Sequence, residues 1–188
     1  MASIFVRYGG KRGFLAHCKN MTKYCLGGYR QYQQLEFSRV ERLIFVCKGN
    51  ICRSPYAEAR AHMDGGRLRV ASFGLHADPR QPANEQAVAS ANLRGVDLST
   101  HLTRTAAELR IDPSDLLVAM EPAQAQALVS YQRTHGAQVT LLGLWGKNVL
   151  PAIADPYGHD GAVFEMCFVN IDTAIQDLCS RIKAVDLR

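Results

Sequence analysis

Cys47-Lys48-Gly49-Asn50-Ile51-Cys52-Arg53-Ser54-Pro55 stands between the apolar run Leu43-Ile44-Phe45-Val46 and Tyr56-Ala57-Glu58-Ala59-Arg60-Ala61, which reads as helix. A strand enters, a tight loop turns and a helix leaves. Cys47 and Arg53 bracket five residues, a length that can wrap one tetrahedral oxyanion. Backbone N–H groups at a helix N-terminus lack intrahelical partners and sit at the positive end of the helix dipole, so they supply donors and positive potential together. Gly49 is expected to permit a turn that a side chain would hinder. Asn50 tolerates the left-handed region and can tie the loop together with its amide. Arg53 offers a planar fork of donors that matches two phosphate oxygens. Pro55 suits the first turn of a helix, where its missing N–H costs nothing.

The same field acts on Cys47. A thiol at a helix N-terminus beside an arginine loses its proton readily and becomes a nucleophile aimed at a bound phosphorus. Ser54 stands where its hydroxyl can donate to that thiolate and stabilise it again as a leaving group. A structural cysteine at the end of a core strand would account for Cys47 alone. It does not account for Gly49, Asn50, Arg53 and Ser54 at fixed offsets in a strand–loop–helix setting.

The chain has 188 residues, 47% hydrophobic and 21% charged, which predicts one domain with a sizeable core. No apolar run approaches the ~18 residues of a membrane span. The N-terminus shows no clean apolar h-region or cleavage site, which argues against a secretory signal. The six cysteines, at 18, 25, 47, 52, 167 and 179, have no metal-ligand spacing. An active thiolate needs reducing conditions, so the expected location is the cytoplasm and no metal is assigned. Charge is uneven: residues 1–42 carry eight Lys/Arg and two acids, a net of +6, whereas the remainder nets −1. The high pI belongs to the N-terminal segment, and nothing in this distribution points to nucleic acid.

Beyond the loop, strand and helix patterns alternate. Strand 43–47 leads to helix 54–63. Strand 68–72 follows Gly65-Gly66, and a helix near 83–93 ends before Gly95. Thr105 and Glu108 read as a capping box opening a short helix. Strand 115–119 precedes a helix near 122–134 closed by Gly136, and strand 138–142 follows. After a loop with Pro151 and Pro156, Phe164, Phe168, Ile171, Ile175, Leu178 and Ile182 mark one stripe of a long final helix. Cys167 and Cys179 lie on or beside it as core thiols. Such repeats imply an α/β fold: an open four-stranded parallel sheet with helices on both faces and ligands beyond the strand C-termini. Residues 1–41 precede this unit. Phe14, Leu15, Cys18, Met21 and Cys25 have helical spacing, ended by Gly27-Gly28. Three readings stay open for the extension: a helix packed on the domain, a basic surface for an anionic membrane or acidic partner, or a largely disordered arm.

The loop resembles that of the low-molecular-weight protein tyrosine phosphatases, C-x-G-N-x-C-R-S-P, and the resemblance runs from about Arg42 to the final helix. Val70-Ala71-Ser72-Phe73-Gly74, Asp97-Leu98-Ser99-Thr100-His101, Asp115-Leu116-Leu117-Val118-Ala119-Met120 and Asp155-Pro156-Tyr157 match further family segments in order. It implies a phosphotyrosine phosphatase I-like catalytic domain over residues 42–188, with residues 1–41 as an atypical extension. It further implies a cofactor-free, metal-independent reaction on a phosphotyrosine-containing protein. Cys47 would be the nucleophile, Arg53 the phosphate clamp and Asp155 the general acid and base. Lys48, Gly49, Asn50, Ile51, Cys52, Arg53 and Ser54 would cradle the phosphate, and Asn50, Ser54, Ser72 and His101 would hold the loop in shape. Cys52 would trap Cys47 as a reversible disulfide, and Lys48 and Tyr157 would form the substrate rim.

An Asp-Pro pair alone is usually a turn; the loop and the strand order raise Asp155 above that. Asp-Pro-Tyr-Gly and Leu141-Leu142-Gly143-Leu144-Trp145 look like bacterial members linked to exopolysaccharide export, which implies a bacterial tyrosine kinase as partner. Two other functions share the loop or fold. A thiol-coupled arsenate reductase would place resolving cysteines near Ala119-Met120-Glu121-Pro122-Ala123, which has none. A non-catalytic phosphotyrosine-binding module would have no use for the full set of Cys47, Arg53 and Asp155.

Overall fold

Leu43 to Val46 are fully buried and form the middle of a four-stranded parallel sheet. The structure, a computed structural model, describes residues 8, 10–63 and 68–186. The Gly65-Gly66 pair, and residues 1–7 and 9 of the extension, lie outside the described residues. Strand β1 (Arg42–Cys47) pairs with β2 (Arg69–Gly74) on one side and with β3 (Asp115–Ala119) on the other. Strand β4 (Gln138–Leu141) completes the order β2-β1-β3-β4. The chain therefore leaves β1 for one neighbour and returns to its opposite side. The crevice beyond the C-terminal ends opens where the strand order reverses, and Cys47 ends β1 there.

The helices are a basic α1 (Lys11–Cys25), then α2 (Arg53–Met63), α3 (Glu85–Asn92), α4 (Pro122–His135) and the long α5 (Gly161–Asp186). Every position of the expected α5 stripe, from Phe164 to Ile182, is buried. Tyr56 of α2 stacks face to face on Phe168 of α5 with centroids 3.7 Å apart, and its hydroxyl donates to Asp172 at 2.9 Å. That pairing fixes the helix whose first turn follows the loop after Cys47. Arg42 grips the buried Asp115 with two hydrogen bonds, 2.7 and 2.6 Å, tying the start of β1 to that of β3. A bidentate pair is the geometry in which such a burial is best compensated.

The Thr105–Glu108 capping box is present and opens a short 310 helix, Ala106–Glu108, that ends where Leu109 returns to extended backbone. In α1 the expected apolar stripe holds only in part: Phe14 and Met21 are half-buried, with His17 and Tyr24 on the same side, whereas Leu15, Cys18 and Cys25 are exposed. Tyr24 packs on the core, and the Tyr29 hydroxyl donates to Asn20 at 2.9 Å. Polar His17 and amphipathic Tyr24 were not counted as apolar, so the pattern read from aliphatics and cysteines drifted in part onto the exposed face.

The chain after α1 runs along β4. Tyr29, Tyr32 and Val40 are buried in the same core as the sheet. Thr140 Oγ1 donates to the Tyr32 carbonyl at 2.6 Å and accepts from Trp145 Nε1 at 2.8 Å. The Gln138 amide both accepts from Glu36 N–H (2.7 Å) and donates to its carbonyl (3.0 Å). These bonds cover an edge strand whose exposed backbone would otherwise invite pairing with another chain.

Candidate active site

Asn50 is the centre of the loop. It is fully buried and has φ 55, the left-handed conformation its side chain was expected to tolerate. Its Nδ2 donates to Ser54 Oγ at 2.8 Å and to Ser72 Oγ at 2.7 Å, and its Oδ1 accepts from Arg104 N–H at 2.9 Å. Its carbonyl bonds His101 Nε2 at 2.8 Å. A carbonyl only accepts, so that ring nitrogen carries the hydrogen.

These bonds assign a direction to the network. Ser72 Oγ accepts from Asn50 and donates to Glu58 Oε2 at 2.6 Å. Ser54 Oγ also accepts from Asn50, so its own hydrogen is left for Cys47 Sγ, 3.0 Å away. One amide thus sends a hydrogen along each of two arms, one ending on a carboxylate and the other on the cysteine sulfur. Chains of this kind polarise one another. Asn50 N–H points to the same sulfur at 3.3 Å. Arg104 pairs with Glu58 and holds the far end.

Gly49 does not play the part expected of it. Its φ is not positive, and a Cβ there would meet only Ile51, at 3.6 Å or beyond. The close approach falls instead at Gly74, where a Cβ would lie 2.8 Å from the Lys48 carbonyl and 2.9 Å from Asn50 N. The end of β2 buttresses the loop through Leu75 N–H to the Cys47 carbonyl (3.0 Å) and His76 N–H to the Lys48 carbonyl (2.8 Å).

Arg53 is buried, with 1% of its surface exposed. Its Nη1 lies 2.5 Å from Glu121 Oε1 and 3.1 Å from the Ile153 carbonyl, and its Nη2 lies 2.7 Å from Asp155 Oδ2. Its Nε is buried with no hydrogen-bond partner. Burial disfavours its charge, but Asp155, Glu121 and Cys47 outweigh that, so the guanidinium is held more firmly protonated than usual. Cys47, Lys48, Gly49, Ile51, Cys52, Arg53, His76, Asp155 and Tyr157 together line a cleft of about 200 Å³. Its size suits a phosphoryl group and part of a ring. Tyr157 is 60% exposed at its mouth, and its N–H bonds Asp155 Oδ1 at 3.3 Å in a tight turn.

Cys52 is buried, and burial first, then the charges of Asp155 and Cys47, push its thiol pKa up. Cys167 of α5 sits close behind the site; burial pushes its thiol up to about 12, while Arg53 acts in the opposite sense. Both thiols are free. His101 is partly buried, and desolvation holds its pKa below the usual imidazole value despite the Asn50 carbonyl and the nearby Glu58.

All the residues singled out from the sequence converge here: Cys47 to Ser54 as the loop, Ser72 and His101 as its supports, Asp155 and Tyr157 at its mouth. Sequence reading missed Glu121, Glu58, Arg104 and Gly74. A glycine ending a strand beside the loop was a usable signal for Gly74. No local pattern marked the other three, because each meets the loop only through the tertiary fold.

The family model for low molecular weight phosphotyrosine protein phosphatases matches residues 42–186. The chain is 30% identical over 146 residues to a probable low molecular weight protein-tyrosine-phosphatase, EpsP, of Ralstonia nicotianae, covering 78% of this chain and 99% of that protein. It is 29% identical over 149 residues to the low molecular weight protein-tyrosine-phosphatase Etp of Escherichia coli K12, covering 79% and 97%. The crystal structure of the tyrosine phosphatase AmsI of Erwinia amylovora superposes with a TM-score of 0.66 at 29% identity, covering 76% of this chain and 93% of that one.

Proposed function

The chain belongs to the low molecular weight phosphotyrosine protein phosphatase family, and from that premise we propose how its own residues hydrolyse a phosphotyrosine ester. The observation that carries the reading is the meeting of Cys47 Sγ, the orphaned Arg53 Nε and the Asp155 carboxylate at one small cleft. Loop N–H groups and Arg53 bind the phosphoryl oxygens, with Nε supplying the donor that lacks a partner. Cys47 Sγ attacks phosphorus in line as the bond to the tyrosine oxygen breaks. Asp155 gives its proton to the departing phenolate. Loop amides and Arg53 stabilise charge on the equatorial oxygens throughout, which supplies most of the acceleration. Water then attacks the cysteinyl phosphate and gives a proton to Asp155. The Cys47 thiolate leaves into the hydrogen bonds of Ser54 and Asn50.

Asn50, Ser54, Ser72 and His101 act by holding the loop. Lys48 and Tyr157 form the rim that meets the substrate. Cys52 protects the nucleophile: once peroxide has converted Cys47 to a sulfenic acid, the Cys52 thiol displaces water from it and leaves a disulfide. The fitting partner is a phosphotyrosine protein such as an autophosphorylating bacterial tyrosine kinase of polysaccharide export, met in the cytoplasm. Among the described residues no helix is long and apolar enough to cross a membrane. Residues 42–188 form the catalytic unit, with residues 1–41 as a basic extension upon it. The test is Cys47→Ser, measured on p-nitrophenyl phosphate and by phosphate titration. Turnover should vanish while phosphate binding survives; near-normal turnover would remove Cys47 from the chemistry.

A further inference from the structure

The extension shapes a second concavity that opens on the acid loop. Tyr8 folds back on α1: its ring stacks on His17 at 4.2 Å and meets Phe14 edge-on at 5.5 Å. Its carbonyl comes so close that a Cβ on Gly13 would lie 1.6 Å from the oxygen, which fixes glycine at that position of the helix. Tyr8, Gly13, Ala16, His17, Lys19 and Asn20 form one wall of a groove of about 530 Å³. The opposite wall is Glu121, Pro122 and Ala123 at the start of α4, together with Ala152 to Asp155. Asp155 also lines the catalytic cleft, so the two concavities share that residue.

Charge gives the groove a direction. Its two acids, Glu121 and Asp155, share the single charge of Arg53, so that wall keeps a net −1 and the positive field comes from α1. The α1 wall carries Lys19, and helical spacing puts Arg12 and Lys23 on the same edge, four to seven residues away. Lys23 holds its Nζ 5.0 Å over the Tyr29 ring; Arg12 and Lys19 are exposed. Walls lined by Ala16 on one side and Pro122, Ala123 and Ala152 on the other, with a basic edge on α1, suit an extended chain bearing carboxylates. The net of +6 in residues 1–42 adds attraction at longer range.

We propose that this groove docks an acidic chain segment flanking the phosphotyrosine, with Arg12 and Lys19 as its carboxylate-binding edge. This rests on the phosphatase reading and adds a substrate class to it: phosphotyrosine in an Asp/Glu-rich context. An anionic membrane is the competing use of the same charges. The lining of both concavities by Asp155 favours a peptide, because a peptide held at the phosphotyrosine has its neighbours beside that residue.

The experiment compares kcat/KM for a phosphotyrosine peptide with flanking Asp and Glu, the same peptide with Asn and Gln there, and p-nitrophenyl phosphate, which is too small to reach α1. The wild-type chain should prefer the acidic peptide by roughly five- to tenfold at low salt, and 0.5 M NaCl should erase the preference. R12E/K19E should lose the preference and keep its p-nitrophenyl phosphate turnover. Equal kcat/KM for the two peptides, or a preference that survives R12E/K19E, overturns the docking site alone. A wild-type chain inert towards p-nitrophenyl phosphate overturns the phosphatase reading beneath it. If R12E/K19E instead abolishes co-sedimentation with phosphatidylserine vesicles while peptide preference persists, α1 is a membrane surface and the proposal fails.

Discussion

Asp155 Oδ2 lies 2.7 Å from Arg53 Nη2, so the proposed proton donor and the proposed phosphate clamp touch one another directly. An arriving phosphoryl dianion competes for the same guanidinium and opens that ion pair. Asp155 is then left beside the leaving oxygen, and the proton it hands over is taken up from solvent once the pair with Arg53 has opened. The exposed Asp155 side chain can make that small movement about its anchored turn; the buried Arg53, braced by Glu121 and the Ile153 carbonyl, stays in place.

Asp155→Asn keeps the shape and removes the proton. On phenyl phosphate kcat should fall by about 10²–10⁴, the usual range for a lost general acid. On p-nitrophenyl phosphate, whose leaving group needs less protonation, the fall should be clearly smaller. Steady-state kinetics on both esters decide this, and equal losses would exclude Asp155 as the donor to the leaving oxygen.

Ser54→Ala removes the hydroxyl 3.0 Å from Cys47 Sγ, which donates to the sulfur when the sulfur is a thiolate. The thiolate is the leaving group when water opens the cysteinyl phosphate, so that step should suffer more than its formation. Hydrogen bonds to charged groups contribute about 1.5–3 kcal/mol, which corresponds to roughly ten- to hundredfold. Rapid mixing with p-nitrophenyl phosphate should show a burst of nitrophenol followed by a slow steady state. A variant slowed with no burst would place the effect of Ser54 on the first step.

Gly74→Ala inserts a methyl 2.8 Å from the Lys48 carbonyl and 2.9 Å from Asn50 N, both backbone atoms of the phosphate loop. Neither can swing aside as a side-chain tip would. Overpacking of this kind costs about 1–3 kcal/mol. The loop should take up much of the shift, so phosphate affinity should fall at least tenfold in a chain that still unfolds cooperatively. Titration with inorganic phosphate beside urea unfolding checks this; unchanged affinity would show that β2 does not set the loop's shape.

What could be read in advance follows from how local each signal is. The loop, its parent strand and the α5 stripe depend on neighbours within a few residues, and Cys47 to Pro55 and Phe164 to Ile182 stand in the structure as their spacing predicts. Asp155 was legible only through resemblance, since an Asp-Pro turn carries no mark of the Arg53 it meets about a hundred residues earlier. Glu121 was passed over for the same reason: it lies in the segment searched for cysteines, and only folding sets it 2.5 Å from Arg53. The face of α1 was misjudged in part because burial there is shared among His17, Tyr24 and Asn20, residues with polar tips that a hydrophobic count ignores.

His101 links loop geometry to pH. Desolvation lowers its pKa in the folded chain, and Arg104 acts in the same sense, against the Asn50 carbonyl and Glu58. The unfolded chain therefore binds a proton more readily than the folded one just below pH 6.5. Stability from this residue is complete above about pH 6.5 and is lost as pH falls through the lowered folded value. His101→Gln carries an amide with the reach of Nε2 that can still donate to the Asn50 carbonyl but does not titrate. Urea unfolding at pH 7.5 and 5.5 should show the wild-type chain losing more stability on acidification than His101→Gln; identical losses would mean that His101 titrates alike in both states. Imidazolium still donates through Nε2, so acidification penalises the buried charge rather than breaking the bond to Asn50. The loop should therefore keep its phosphate affinity at pH 5.5 even as the fold beneath it weakens.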